Sequence, residues 1–375
     1  MATTRRRTTS ARTSRRPEAV PPTPAHVSEP LDLREALAQM TLIRLFEQEA
    51  ERQYKRARIG GYCHLAIGQE AATVGAVAAM KPADKLLTSY RSHGFALAKG
   101  VPATTVMAEL FGREDGCAAG RGGSMHLLDP DYGYFGGWGI VAGQLPIATG
   151  MALAGVKRGE EMAVMCELGD GAVNMGAWHE ALNLAAVWNL PVVFAVFNNG
   201  YGMGTTVEQS NAEPEIYKRA SAFRMVGERV DGQDVESVYE AADALMARAR
   251  EERQPAVLEV MTYRLRGHSV ADAGTAYRTK EEIAEWADKR DPIALCTEKL
   301  VAAGATNEEL DAIAAEAQRT VDEAVAFAEA SPMPDVSTLA DFVYGDAETG
   351  AQFARMRPGS PAGEGAVIDQ LIAAA

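Results

Sequence analysis

The sequence predicts an α/β protein built on a doubly wound, mostly parallel sheet, and three observations carry that prediction. A mostly apolar run, 162–168, closes in Gly169, Asp170 and Gly171. A second apolar run, 191–197, ends in Asn198 and Asn199. Between them Trp178, Leu182, Ala185 and Trp188 recur at helical spacing. Short continuous apolar runs read as buried parallel strands, and parallel neighbours need a crossover of a dozen or more residues, which the helix provides. Both polar turns then stand at the carboxyl ends of adjacent strands, the edge at which open α/β sheets bind ligands.

The remaining elements follow in order. Residues 1–16 hold six arginines and no acid, so the body beyond them is more acidic than the net charge of −14 for the whole chain. A body this acidic is not a nucleic-acid-binding surface overall. The tail itself, also rich in Ser and Thr, reads as disordered and suited to a polyanion or an acidic partner. The competing reading is an organelle transit peptide, although the bulky apolar residues of an amphipathic targeting helix are missing. Prolines mark 17–30 as a linker. A long helix, 31–55, leads into a glycine-dotted loop containing His64, then more helical text, then a Gly-rich region, 116–143, where backbone can approach a ligand closely. After the central unit, 225–230 and 256–263 read as two further buried strands, joined by a helix, 235–253, that Asp234 caps. Thr306 and Glu309 form a capping-box signature ahead of a helix carrying Leu310, Ile313, Ala317, Val321 and Ala324 on one face. The Pro/Gly-rich stretch 357–365 reads as loose.

Composition sets limits. With 375 residues, 47% of them hydrophobic, the chain has ample material for a large core. No uninterrupted apolar run approaches the roughly eighteen residues of a membrane helix, so a soluble protein is expected. Cys63, Cys117, Cys166 and Cys296 are scattered, without metal or redox spacing, and read as reduced thiols in a reducing compartment.

The polar edge suggests a chemistry. A carboxylate and a carboxamide side by side suit a small hard cation, and Mg²⁺ binds few protein groups while sharing its shell with phosphate oxygens and water. Asp170 and Asn199 would hold that ion beside a diphosphate, with Gly171 leaving room. Read alone, each turn is ordinary, because Asp-Gly and Asn-Gly are common turn dipeptides. Tyr90 and Arg91 lie in a short loop after Leu86 and Leu87, where an arginine could clamp a diphosphate with paired charge-assisted hydrogen bonds, although an isolated arginine is more often a surface group. His179 and Glu180 lack a second histidine at metalloprotease spacing and read as helix surface or packing. From composition alone, His268, in a loop of small residues, reads as solvated.

The Gly-Asp-Gly turn, the helix, the apolar strand and the Asn pair together resemble the signature of thiamine diphosphate enzymes. The wider text is similar to the α subunits of the decarboxylating component of the pyruvate dehydrogenase complex, from about residue 31 to about 344. The matching stretches run from Asn198 to Thr205 and include Thr262, Tyr263 and Arg264, then Gly267, His268 and Ser269. Others are Cys63, His64 and Leu65 with Gly68, Gln69 and Glu70; Tyr90 to Gly94; and Gly122 to His126.

What the resemblance implies is specific. The organisation would be a tail and linker (1–30), one thiamine diphosphate-binding dehydrogenase domain (31–345) and a loosely ordered C-terminal tail (346–375). Tyr90 and Arg91 match diphosphate-contacting positions, Gly139 and Val141 lie near the aminopyrimidine, and Ala172 lies beside the metal. Tyr201 would offer Mg²⁺ a backbone carbonyl, completing a shell with Asp170, Asn199, two phosphate oxygens and a water. His268 matches an active-site loop histidine and His64 one near the substrate; either could steer protons or bind the carboxylate of a 2-oxo acid. A separate β subunit would supply the activating glutamate and the pyrimidine half of the site, in a heterotetramer of two α and two β chains, and a lipoyl-bearing acyltransferase would take the acyl group. His64, His93, Tyr90 and the 202–205 stretch follow the pyruvate pattern rather than that of branched-chain or acetoin-cleaving relatives. Ser269 matches a serine phosphorylated in mitochondrial relatives, but Ala276 replaces a second one. The implied location is the bacterial cytoplasm, or the mitochondrial matrix if the tail is a transit peptide. A different class stays open: a non-catalytic scaffold or docking subunit.

Overall fold

The computed structural model describes His26 and residues 28–338. The predicted Arg-rich tail, most of the linker, the last residues of the predicted domain (339–345) and the C-terminal tail lie outside the described residues. Helix α1 (Leu33–Lys55) starts where the Asp32 carboxylate accepts from the N–H groups of Arg34 and Glu35, and it turns Met40, Ile43, Phe46 and Ala50 inward. Helix α2 (Glu70–Ala78) is buried along almost its whole length. Strand β1 (Lys85–Ser89), α3 (His93–Ala98), α4 (Ala103–Leu110), β2 (Tyr134–Trp138) and α5 (Gln144–Arg158) follow. The predicted central unit is β3 (Val164–Gly169), α6 (Gly176–Trp188) and β4 (Val192–Asn198). A small hairpin, β5 (Tyr201–Gly202) with β6 (Thr205–Thr206), and the short α7 (Val207–Ser210) precede β7 (Val226–Asp231), α8 (Val235–Glu252) and β8 (Ala256–Met261). Helices α9 (Lys280–Lys289), α10 (Pro292–Ala302) and α11 (Asn307–Ala330) close the described chain, α11 opening with the predicted Thr306–Glu309 capping box.

Six strands form one sheet in the order β2-β1-β3-β4-β8-β7, and every neighbouring pair is parallel. Alternation along β4 shows both faces covered. Val193, Ala195 and Phe197 join a core with α1, α2, α4 and α8, while Val192, Phe194 and Val196 join a second core with α5 and α6. The crossover from β1 to β2 carries α3 and α4 on the first face, and that from β3 to β4 carries α6 on the second. Between β1 and β3 the direction of strand addition reverses, which opens a crevice at their carboxyl ends.

Two expectations need correction. The strand at 225–230 is present but not buried: β7 lies at the sheet edge, and its residues are half-buried or exposed. The four residues read at helical spacing do share α6, where Trp178, Leu182 and Ala185 are buried and the terminal Trp188 is 48% exposed. The strand predicted at 256–263 ends at Met261, and the Thr262 N–H already bonds across to the Asn198 carbonyl. Among the described residues no helix is long and apolar enough to cross a membrane.

Trp178 anchors the second core, fully buried and edge-on to Phe194 with ring centroids 6.2 Å apart. Trp178→Ala is expected to lower unfolding free energy by about 3–5 kcal/mol, read by denaturant titration.

Candidate active site

A cavity of about 690 Å³ lies over the crevice and is lined by all eleven residues singled out as site candidates. Tyr90 and Arg91 enter from the end of β1, Asp170, Gly171 and Ala172 from the end of β3, and Asn199 and Tyr201 from the end of β4. Gly139 and Val141 come from the loop after β2, His64 from the loop after α1, and His268 from the loop after β8.

The two asparagines divide their work. Asn198 is structural: its Nδ2 donates to Glu259 at 2.7 Å and its Oδ1 accepts from the Gly200 N–H at 3.0 Å. Asn199 faces the cavity, with Nδ2 3.4 Å from Gln69 Oε1 and a buried Oδ1 that has no hydrogen-bond partner. Asp170 is 2% exposed, and burial pushes its carboxyl up to about 6, against the backbone N–H groups and the charges of Arg264 and Arg91. A buried carboxylate beside an orphaned amide oxygen is costly unless a cation joins them, so the donor set fits a hard metal ion. The β5–β6 hairpin closes over this turn. A Cβ placed on Gly171 would stand 3.4 Å from the Gly202 Cα, a contact that a larger side chain would disrupt.

The cationic and imidazole groups form a second half. Arg91 is 7% exposed; its Nη1 donates to the Leu65 carbonyl at 2.6 Å and its Nη2 to the His268 carbonyl at 3.0 Å, tying together the loops that carry the two histidines. The His64 ring lies 4.4 Å from Tyr90 and 5.1 Å from His268. Burial, reinforced by the Arg91 charge, pushes His64 down to about 3 and His268 down to about 4, so both are neutral near pH 7. Each can donate one hydrogen bond and accept another, and Arg91 supplies positive charge to this wall.

The loop carrying His268 is tied down rather than solvated. Asp272 accepts from the His268 N–H at 2.7 Å, from the Gly274 N–H at 2.8 Å and from the Tyr277 hydroxyl at 2.5 Å. Burial acts to raise this carboxyl, but those three donors hold it down at about 2. Arg278 donates to the carbonyls of Arg264 and Arg266, and Arg264 donates to the Met203 carbonyl at 2.6 Å, which joins the loop to the hairpin of Tyr201. Ser269 lines the cavity at 9% exposure.

Glu167 escaped the sequence reading. It sits inside β3, and its carboxylate accepts from Ser89 N at 2.7 Å and Ser89 Oγ at 3.2 Å at the cavity floor. Burial raises it to about 7. The signal was available, because an acid within an otherwise apolar buried strand needs a partner.

The dehydrogenase E1 component family matches residues 38–337. Among similar proteins is the pyruvate dehydrogenase E1 component subunit alpha of Rhizobium meliloti (strain 1021), 43% identical over 84% of this chain and 90% of that protein. The testis-specific mitochondrial form from Homo sapiens is 43% identical over 81% of this chain and 78% of its own length. The somatic mitochondrial form from Bos taurus is 42% identical over 81% and 77%.

The depressed histidines have a stability consequence. Below the ordinary histidine value of about 6.5 the unfolded chain takes up protons that folded His64 and His268 refuse, so their contribution falls as pH drops from there toward about 4. Asp170 and Glu167, raised in the fold, act with the opposite sign, so the effect is read as a difference. His64→Gln should lose less melting temperature than the parent between pH 7 and pH 5; parallel curves in a thermal-shift series would refute the assignment.

Proposed function

The chain belongs to the dehydrogenase E1 component family, which is thiamine diphosphate-dependent, and on that premise we propose that it is the α subunit of a pyruvate dehydrogenase. The observation that carries the reading is the pairing of Asp170 with the unpartnered Asn199 oxygen at one rim of the crevice, facing Arg91 at the other. Asp170, Asn199 and the Tyr201 carbonyl would hold Mg²⁺, while Tyr90 and Arg91 would hold the diphosphate. Gly139 and Val141 would lie against the aminopyrimidine, and Gly171 and Ala172 would leave the metal turn open to it. When bound, thiamine diphosphate supplies a carbanion for attack on the ketone of a 2-oxo acid and a sink for the electrons left by carbon dioxide. Neutral His64 and His268 would each hold one hydrogen bond to the substrate carboxylate or carry one proton at a ring nitrogen.

The mouth supports a shared site. Tyr62 and Met203 are each 65% exposed and Ile140 75%, an apolar rim suited to a second chain. We assign that place to a β subunit carrying the activating glutamate, in an α₂β₂ heterotetramer, with a lipoyl-bearing acyltransferase as acceptor of the acetyl group. The reading is of a cytoplasmic enzyme, or a matrix enzyme if the Arg-rich N-terminus is a transit peptide.

Carbon dioxide release from pyruvate, a branched-chain 2-oxo acid and 2-oxoglutarate tests this directly, with thiamine diphosphate and Mg²⁺ present. Turnover of pyruvate by the chain paired with its candidate β chain, and by neither chain alone, is the expected result. Turnover of a different acid would move the substrate, and none at all would favour acetoin cleavage or a scaffold. In the active pair, Asp170→Ala should raise the Mg²⁺ concentration for half-saturation at least about tenfold; an unchanged requirement would remove the metal assignment.

A further inference from the structure

A second constellation lies beneath the cavity without lining it. Glu47, on the inner face of α1, is fully buried, and its two oxygens serve different segments. Oε1 accepts from the Ala66 N–H at 2.8 Å, and Oε2 stands 2.7 Å from Nδ1 of His93, the fully buried first residue of α3. The other ring nitrogen of His93 lies 2.8 Å from Ser124 Oγ and 3.2 Å from the Ser124 carbonyl, in the short 3₁₀ turn Gly123–Met125. Carboxylate, imidazole and hydroxyl have the sequence of a nucleophilic triad, but Ser124 is 3% exposed and none of the three faces the cavity. No substrate reaches that hydroxyl.

Its neighbours show what the chain holds instead. Ala66 lines the cavity two residues after His64, His93 follows Arg91 by two, and Ser124 precedes cavity-lining Met125. Cys63 is fully buried in the same segment, and burial pushes its thiol up to about 12 against the lowering influence of the Ser124 hydroxyl. Three segments far apart in sequence therefore meet at one satisfied polar chain, in surroundings where an unpaired member would be costly. We propose that Glu47, His93 and Ser124 are positioning residues that fix where His64 and Met125 stand relative to Arg91. What the cavity binds rests on the reading under Proposed function; the positioning itself does not.

The test uses the full chain co-expressed with its candidate β chain, comparing Ser124→Ala with Ser124→Thr, which keeps the hydroxyl. Alkylation of Cys63, followed by peptide mass mapping, should speed up about tenfold or more in Ser124→Ala and stay within about threefold of the parent in Ser124→Thr, with buried Cys166 unchanged as an internal control. Turnover of pyruvate at saturating thiamine diphosphate should fall by about tenfold or more in Ser124→Ala, with cofactor affinity within about threefold, because small misplacements are expensive in rate but not in diphosphate binding. An unchanged Cys63 rate overturns the proposal. So does a faster Cys63 rate matched by Cys166, which would mean general loosening. A parent pair that releases no carbon dioxide from pyruvate would remove the functional reading alone, since the Cys63 comparison still decides whether the chain positions its loop.

Discussion

The reversal between β1 and β3 is the constraint from which the rest follows. A crossover on one face carries the chain outward to β2, and a crossover on the other face carries it the opposite way to β4, so no loop bridges the gap between them. The loops that leave β1 and β3 are driven apart, and the space they vacate becomes the cavity. Tyr90 and Arg91 therefore stand on one bank and Asp170 on the other, with no special local conformation needed to bring opposite charges to the same opening.

Burial then decides what those groups can do. Dehydration keeps both histidines neutral and raises the carboxyls of Asp170 and Glu167, while Arg91 stays charged in the same wall. The site is electrically asymmetric: a buried carboxyl and an unpartnered amide oxygen on the β3–β4 side, and a guanidinium with two neutral imidazoles on the other. An anionic ligand with its own cation would satisfy both halves at once, and either partner alone would leave one of them unbalanced.

Much of this was legible because it is local. The apolar runs, their polar endings and the helical spacing of Trp178, Leu182 and Ala185 each depend on a few neighbouring residues, and the parallel pair β3–β4 follows from them. The burial of β7 was not legible, since it depends on strand order, and an edge strand has a partner on one side only. Trp188 obeys the periodicity of α6 but is its last residue and 48% exposed, so periodicity alone does not give burial at a helix end. Glu47, His93 and Ser124 are invisible as a group in sequence, where α1, α3 and a Gly-rich turn give no hint of converging. The motifs around His64, Arg91 and His268 drew attention to the right loops, but only the fold shows Arg91 holding two of them.

That double grip has a further consequence. A guanidinium carries five N–H donors in a planar fork, and the carbonyls of Leu65 and His268 occupy one on each terminal nitrogen. The remaining donors would be left for the proposed diphosphate while those two stay engaged, so architecture and ligand would not compete for the same hydrogens. A lysine has three donors, but they radiate from a single nitrogen and cannot reproduce the span of two terminal nitrogens in one plane. Arginine at this position joins two loops through the geometry of its fork, a role distinct from the charge it brings to the cavity.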